Sequence, residues 1–147
     1  QPPTITIITT PLFHVTANNC IMQPVTIGGG KMIHMYKWDA KEALEIVERE
    51  KVNGLTGAPV MSREILAHPD FAKFDTSSIT MMGGGGAQVP PDLVLKIDEK
   101  LVNGKPGTGY GMTEGSGMMC SINKDYYVAN PESVGPTIAV YESKIVD

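Results

Sequence analysis

Residues 31–60, KMIHMYKWDAKEALEIVEREKVNGLTGAPV, decide the fold because they place a strand, a helix and a second strand in direct succession. KMIHMY at 31–36 predicts the first strand, and LTGA at 55–58 predicts the second. Asp39 is placed to cap the helix between them, since its carboxylate can accept hydrogen bonds from the first free backbone amides. The apolar residues that share the buried face of this helix are Ala43, Leu44, Ile46 and Val47.

The alternation of strands and helices continues on both sides of this stretch. The other predicted elements are a strand at 5–8, helices at 17–27 and 59–68, a strand at 79–82, a loop at 83–86, a helix from Pro90 and Pro91 to Leu101, and strands at 106–110, 118–122 and 137–146. Such units with short connections favour a parallel sheet, because right-handed crossovers place the helices on its faces. We therefore expect residues 1–147 to form one α/β unit, a mostly parallel sheet with helices on both faces.

The composition is that of one ordinary globular domain. The 147 residues include 12 Lys plus Arg against 16 Asp plus Glu, and 41% are hydrophobic. The resulting net charge of -4 provides no basic surface for nucleic acid or for an anionic membrane. No apolar run approaches the roughly 18 residues that a membrane-spanning helix requires.

The two cysteines and the chain ends give further expectations. Cys20 and Cys120 are too far apart in sequence for a zinc motif or a disulfide framework, which favours a reducing, cytoplasmic location. The chain begins at Gln1 instead of Met and ends on the strand-like ESKIVD, so we expect it to be a piece of a longer protein. Apolar surface at such cut edges predicts that the piece forms a homo-oligomer.

Two glycine-rich segments follow predicted strands, MGGGGA at 82–87 and GTGYGMTEGSG at 107–117. Ligands of open parallel sheets bind beyond the carboxyl ends of the strands, so both segments are candidates for a binding site. Glycine lets a backbone amide approach a ligand closely, although an isolated glycine run is more often only a flexible turn. Between Pro106 and Asn123 the only charged side chain is Glu114.

The second segment carries groups that suit a nucleotide. Tyr110 offers a flat ring, Thr113 a hydroxyl and Glu114 a carboxylate. Because a carboxylate repels phosphate, Glu114 fits this interpretation only if Mg²⁺ bridges it to the phosphates. GTGYG also imitates part of a dinucleotide-binding fingerprint, but its third glycine is misplaced and no helix pattern follows.

Four motifs together resemble the adenylate-forming acyl-CoA synthetases, the AMP-binding ligase family. They are PLFH at 11–14, GGA at 85–87, GYGMTE at 109–114 and PESVG at 131–135. The resemblance implies a flavodoxin-like sheet that forms the central part of a larger domain. It also implies an enzyme that uses Mg²⁺ and ATP to convert a small fatty or aryl carboxylic acid into an acyl adenylate, and coenzyme A to form a thioester.

The resemblance also implies roles for individual residues. Thr113 and Glu114 would be catalytic, with Thr113 on phosphate and Glu114 on the metal, and Tyr110 would stack on adenine. His14, Gly84 and Gly85 would bind the acid. The residues that would contact ATP are Gly85, Gly86, Ala87, Tyr110, Gly111, Met112 and Thr113.

Other parts expected from the resemblance do not occur within residues 1–147. They are a phosphate-binding loop ending in Lys, a ribose-binding Asp and the catalytic Lys of a small mobile domain. The piece is therefore expected to be inactive alone, and a nucleotide-binding module without catalysis stays open as an alternative. A dinucleotide-dependent oxidoreductase is a third, weaker interpretation, because no acidic residue is placed to hold the ribose.

Overall fold

A computed structural model describes residues 2–146, which form one six-stranded sheet flanked by helices. The strands are β1 (Ile5–Ile8), β2 (Lys31–His34), β3 (Gly54–Gly57), β4 (Met81–Gly85), β5 (Lys105–Met112) and β6 (Gly117–Asn123). Their order across the sheet is β2-β1-β3-β4-β5-β6. The first five strands are parallel and β6 is antiparallel to β5, which confirms the mostly parallel sheet expected from the sequence.

Six α-helices connect or follow these strands. They are α1 (Val15–Ala17), α2 (Gln23–Ile27), α3 (Ala40–Glu50), α4 (Pro59–Ala67), α5 (Pro91–Lys100) and α6 (Lys124–Ala129). A π-helical turn, Asn18–Met22, joins α1 to α2, so the helix predicted at 17–27 is real but irregular. Asp39 caps α3 as predicted, since its side chain accepts a hydrogen bond from the amide of Glu42 at 2.8 Å. No helix within residues 2–146 is long and apolar enough to cross a membrane.

Helices cover both faces of the sheet, as the side chains of β1 show. Successive residues of a strand point to opposite faces. Ile7 packs into the main core with residues of α3, α4 and α5, whereas Ile8 packs with Ala17, Ile21 and Val25 of the α1–α2 region. The predicted arrangement of helices on both faces is therefore confirmed.

The loop predicted at 83–86 is wrong, because Gly83, Gly84 and Gly85 belong to β4. A Cβ at Gly83 would lie 1.8 Å from the carbonyl oxygen of Gly107, and one at Gly84 would lie 2.0 Å from that of Gly57. These glycines therefore permit close contact with both neighbouring strands. Of the four glycines at 83–86, only Gly86 adopts a positive φ, +76°, which is typical of a turn.

Two strand limits also differ from the prediction. Strand β4 begins at Met81 and not at residue 79, and β2 ends at His34, two residues before the predicted limit.

The strand predicted at 137–146 is also wrong. Thr137 forms only an isolated antiparallel bridge with Cys120, and the amide of Ile138 donates to the carbonyl oxygen of Met119 at 2.9 Å. The segment thus covers part of the outer edge of β6 without forming a ladder. The helix α6, which the sequence analysis did not predict, packs Tyr127 against Val94 and Ile122.

Candidate functional site

The two glycine-rich segments meet at the carboxyl ends of β4 and β5. Gly85 and Gly109 are direct partners in the parallel ladder, so the sites predicted separately from the sequence lie side by side. A cleft opens on each side of this strand pair. We name them the His14 cleft, on the α1 side, and the Tyr110 cleft, on the α5 side.

The His14 cleft has a volume of about 340 Å³. Its floor is glycine backbone, because Gly84, Gly85 and Gly109 present no side chains to fill it. The other lining residues include His14, Val15, Thr16, Cys20, Gly86, Gly111, Met112, Thr113, Glu114 and Met118. A cleft of this size, with a few polar side chains among apolar and glycine surfaces, suits a small organic molecule.

His14 is held in a defined orientation at the mouth of its cleft. It caps α1, and its Nδ1 accepts a hydrogen bond from the amide of Thr16 at 3.2 Å. An Nδ1 that accepts a hydrogen bond favours the tautomer with a proton on Nε2. His14 therefore has an N–H available to donate to a ligand.

The Tyr110 cleft has a volume of about 720 Å³ and combines aromatic and backbone surfaces. Its lining includes Gly86, Ala87, Val89, Gly109, Tyr110, Gly111, Tyr127 and the segment 131–134. Tyr110 is 46% exposed, so its ring is accessible to a stacking partner. A flat aromatic surface beside free backbone groups suits a purine base.

A partly buried hydrogen bond connects the two clefts through the sheet. The hydroxyl of Thr108, which lines the Tyr110 cleft, donates to the carbonyl oxygen of Gly84 in the His14 cleft at 2.8 Å. Burial raises the pKa of the Tyr127 phenol, and a hydrogen bond with the Thr108 side chain offsets part of that effect. The Tyr127 phenol therefore stays neutral.

Glu114 lies on a short turn at the tip of the β5–β6 hairpin and is exposed. Within residues 2–146, no group of three or more His, Cys, Asp or Glu side chains is placed to hold a metal ion. The single carboxylate does fit Mg²⁺ that is held mainly by substrate phosphates, since this ion commonly takes only one or two protein carboxylates. Glu114 is therefore a candidate magnesium ligand only when a nucleotide is bound.

Every residue that the sequence analysis assigned to the site lines one of the two clefts. Ala87 and Tyr110 lie in the Tyr110 cleft, Gly86 and Gly111 in both, and the others in the His14 cleft. Their individual roles stay predictions. Cys20 and Tyr127 also line the clefts but were not predicted as site residues, and α6, which carries Tyr127, was itself not predicted.

Comparisons with known proteins identify the family and the fold of the chain. A family model described as "AMP-binding enzyme" matches residues 2–147. The chain is 31% identical over 140 residues to a 4-coumarate–CoA ligase of Humulus lupulus, covering 93% of this chain and 26% of that protein. It is 35% identical over 106 residues to the long-chain-fatty-acid–CoA ligase of Bacillus subtilis (strain 168), covering 72% of this chain and 19% of that protein. The N-terminal domain of FACL13 from Mycobacterium tuberculosis has the same fold, with a TM-score of 0.81, 23% identity, and coverage of 92% of this chain and 33% of that one.

Proposed function

Since the chain belongs to the AMP-binding enzyme family, we propose that the complete protein containing it is an adenylate-forming acid–CoA ligase. The chain spans about a quarter of the length of the 4-coumarate–CoA ligase that it matches. We therefore assign it to the central subdomain of the adenylating domain, with the phosphate-binding loop and the mobile domain outside residues 1–147. The observation that carries the proposal is the pair of clefts on either side of the Gly85–Gly109 ladder.

The two clefts suit the two substrates of the first half-reaction. An acid in the His14 cleft and an adenine against Tyr110 would be separated by a layer of glycine backbone. The carboxylate of the acid and the α-phosphate of ATP would then meet at the strand ends. Positioning of this kind supplies much of the rate acceleration when two substrates react.

Thr113 and Glu114 lie where these groups would meet. We propose that the Thr113 hydroxyl donates to a phosphate oxygen and that the Glu114 carboxylate holds Mg²⁺ bound to the phosphates; in support, both residues line the His14 cleft. When bound, Mg²⁺ supplies positive charge that stabilises the charge developing on the phosphate oxygens. Glu114 thus contributes by holding that charge in a fixed place.

We propose a fatty or aryl carboxylic acid as the substrate and coenzyme A as the acceptor, in fatty acid or aryl acid metabolism. The support is that the similar proteins are named for 4-coumarate and for long-chain fatty acids. We also propose a cytoplasmic location, because Cys20 and Cys120 are both free thiols, as expected in a reducing compartment.

The test is acid-dependent exchange of pyrophosphate into ATP by the complete protein, with a panel of fatty and aryl acids. Glu114→Gln should lower the exchange rate roughly 100-fold, a loss typical of removing one group that stabilises transition-state charge. Glu99→Gln is the matched control, since Glu99 is exposed on α5 and lines neither cleft. ATP binding without exchange for any acid would favour the nucleotide-binding module instead.

A further inference from the structure

Two side chains from distant parts of the chain hold the turn that carries Glu114. This turn, residues 113–116, is named the Glu114 turn. The side-chain amide of Asn19 donates to the carbonyl oxygen of Ser116 at 2.9 Å, and the hydroxyl of Tyr141 donates to the carbonyl oxygen of Gly115. We infer that Asn19 and Tyr141 are positioning residues that fix Thr113 and Glu114 for the adenylation step. The catalytic part of this inference rests on the proposed function.

The Glu114 turn has little else to define its conformation. Thr113, Glu114 and Ser116 are all exposed, so no buried side chain among them anchors the turn. Its internal hydrogen bond runs from the amide of Ser116 to the carbonyl oxygen of Thr113 at 3.0 Å. Ser116 has a φ of +58°, a left-handed conformation that side chains other than glycine adopt at a cost in free energy. The ladder pair Met112–Gly117 brackets the turn, and the contacts from Asn19 and Tyr141 add the side-chain hydrogen bonds that hold it.

Asn19 reaches the Glu114 turn from the segment beside the His14 cleft. It belongs to the π-helical turn Asn18–Met22, in which the amide of Gln23 bonds to the carbonyl oxygen five residues earlier. Its neighbour Cys20 lines the cleft, and a Cβ at Gly117 would lie 3.1 Å from the Cys20 sulfur. The π-helical turn thus lies directly against the start of β6. Rare π-helical turns occur frequently at functional sites, which agrees with this placement.

The Asn19 contact consequently joins the π-helical turn, whose Cys20 lines the proposed acid site, to the turn that carries the proposed magnesium ligand. Loss of the contact would let Glu114 occupy a wider range of positions, while Tyr110 and the adenine surface would be unchanged. We therefore expect the rate of adenylation to fall much more than the affinity for ATP. A smaller folded fraction would also lower the apparent kcat at constant KM, so the rate is expressed per folded protein and the pairing with Glu114→Gln separates the two roles.

The experiment uses the complete protein and a double-mutant cycle. Asn19→Ala and Tyr141→Phe should each lower kcat of acid-dependent pyrophosphate exchange about tenfold, with the KM for ATP unchanged within about twofold. Asn19→Ala should have a clearly smaller effect when Glu114→Gln is already present, because part of its effect acts through Glu114. An equal tenfold loss in both backgrounds would overturn the inference.

Asn18→Ala is the matched control, since Asn18 lies in the same π-helical turn but its side-chain amide donates to the carbonyl oxygen of Leu12. It should leave kcat unchanged. Hydrogen exchange of the peptide 110–119 provides a readout that does not need activity: Asn19→Ala should speed exchange there and Asn18→Ala should not. Equal protection in all variants would overturn the inference. Asn19→Ala could speed hydrogen exchange of this peptide while the wild-type protein shows no acid-dependent pyrophosphate exchange. That result would support the contact between Asn19 and the Glu114 turn and would overturn the proposed function.

Discussion

Gly84→Ala should destabilise the chain because the new methyl group has no space. A Cβ at Gly84 would lie 2.0 Å from the carbonyl oxygen of Gly57 and 3.5 Å from the nitrogen of Pro59. Both groups are backbone, at the end of β3 and the start of α4, so a change of side-chain rotamer cannot relieve the clash. β3 and β4 would have to move apart along a buried ladder.

The size of the effect follows from the cost of overpacking a core. An extra methyl group forced into a packed core commonly lowers the free energy of unfolding by about 1–3 kcal/mol. Because this methyl group clashes with backbone on a central strand, we expect a loss near the upper limit, about 3 kcal/mol. With an m-value of about 2 kcal/mol per molar urea, the midpoint of unfolding should fall by about 1.5 M. Urea titration of the purified chain, followed by circular dichroism, measures this shift.

Gly54→Ala provides the matched control on the neighbouring strand β3. Gly54 is also buried, but a Cβ there would meet only the Thr4 methyl carbon at 3.7 Å, an ordinary contact. Its expected effect is neutral or stabilising by up to about 1 kcal/mol, because alanine restricts the unfolded chain. Equal midpoints for Gly84→Ala and the wild type would refute the steric argument, as would equal losses in the two variants.

Three other predictions concern the stability and binding of the same chain. Asn53→Ala should cost about 2 kcal/mol in urea titration, since its side chain accepts from the amide of Ile5 at 2.9 Å and donates to the carbonyl oxygen of Pro3 at 3.0 Å; an unchanged midpoint would contradict it. Hydrogen bonds from Lys51 and Ser77 hold the pKa of Asp75 well below its usual range, so this carboxylate stabilises the fold above about pH 4 and less as the pH falls. Thermal melts between pH 6 and pH 2 should show the difference between wild type and Asp75→Asn shrinking in acid; a constant difference would refute the linkage. Calorimetric titration with Mg-ATP should give a Kd no tighter than about 1 mM for residues 1–147, because most of the nucleotide stays in water; micromolar binding would show that the chain holds more of the site than we propose.

The sequence determined the order of the elements and the place of the candidate site. The apolar period of residues 40–50 and the cap at Asp39 are local signals, and they predicted α3 correctly. Parallel strands joined by helices must end at the same edge of the sheet. The glycine-rich segments were both predicted at that edge, and the pairing of Gly85 with Gly109 shows that they meet there.

Tertiary structure alone decided how the glycines are used and what surrounds the site. A glycine run has no side-chain pattern, so the sequence could not distinguish a turn from a strand with closely packed neighbours. In the structure, the carbonyl oxygens of Gly107 and Gly57 lie so close to Gly83 and Gly84 that no side chain fits, which identifies these glycines as part of a packed strand. The segment 137–146 is apolar enough for a strand, yet its isolated bridge does not extend into a ladder along β6. The hydrogen bond from Asn19 to Ser116 joins residues 97 positions apart. No local propensity encodes such a contact, because it exists only after the sheet and its helices have brought the two parts of the chain together.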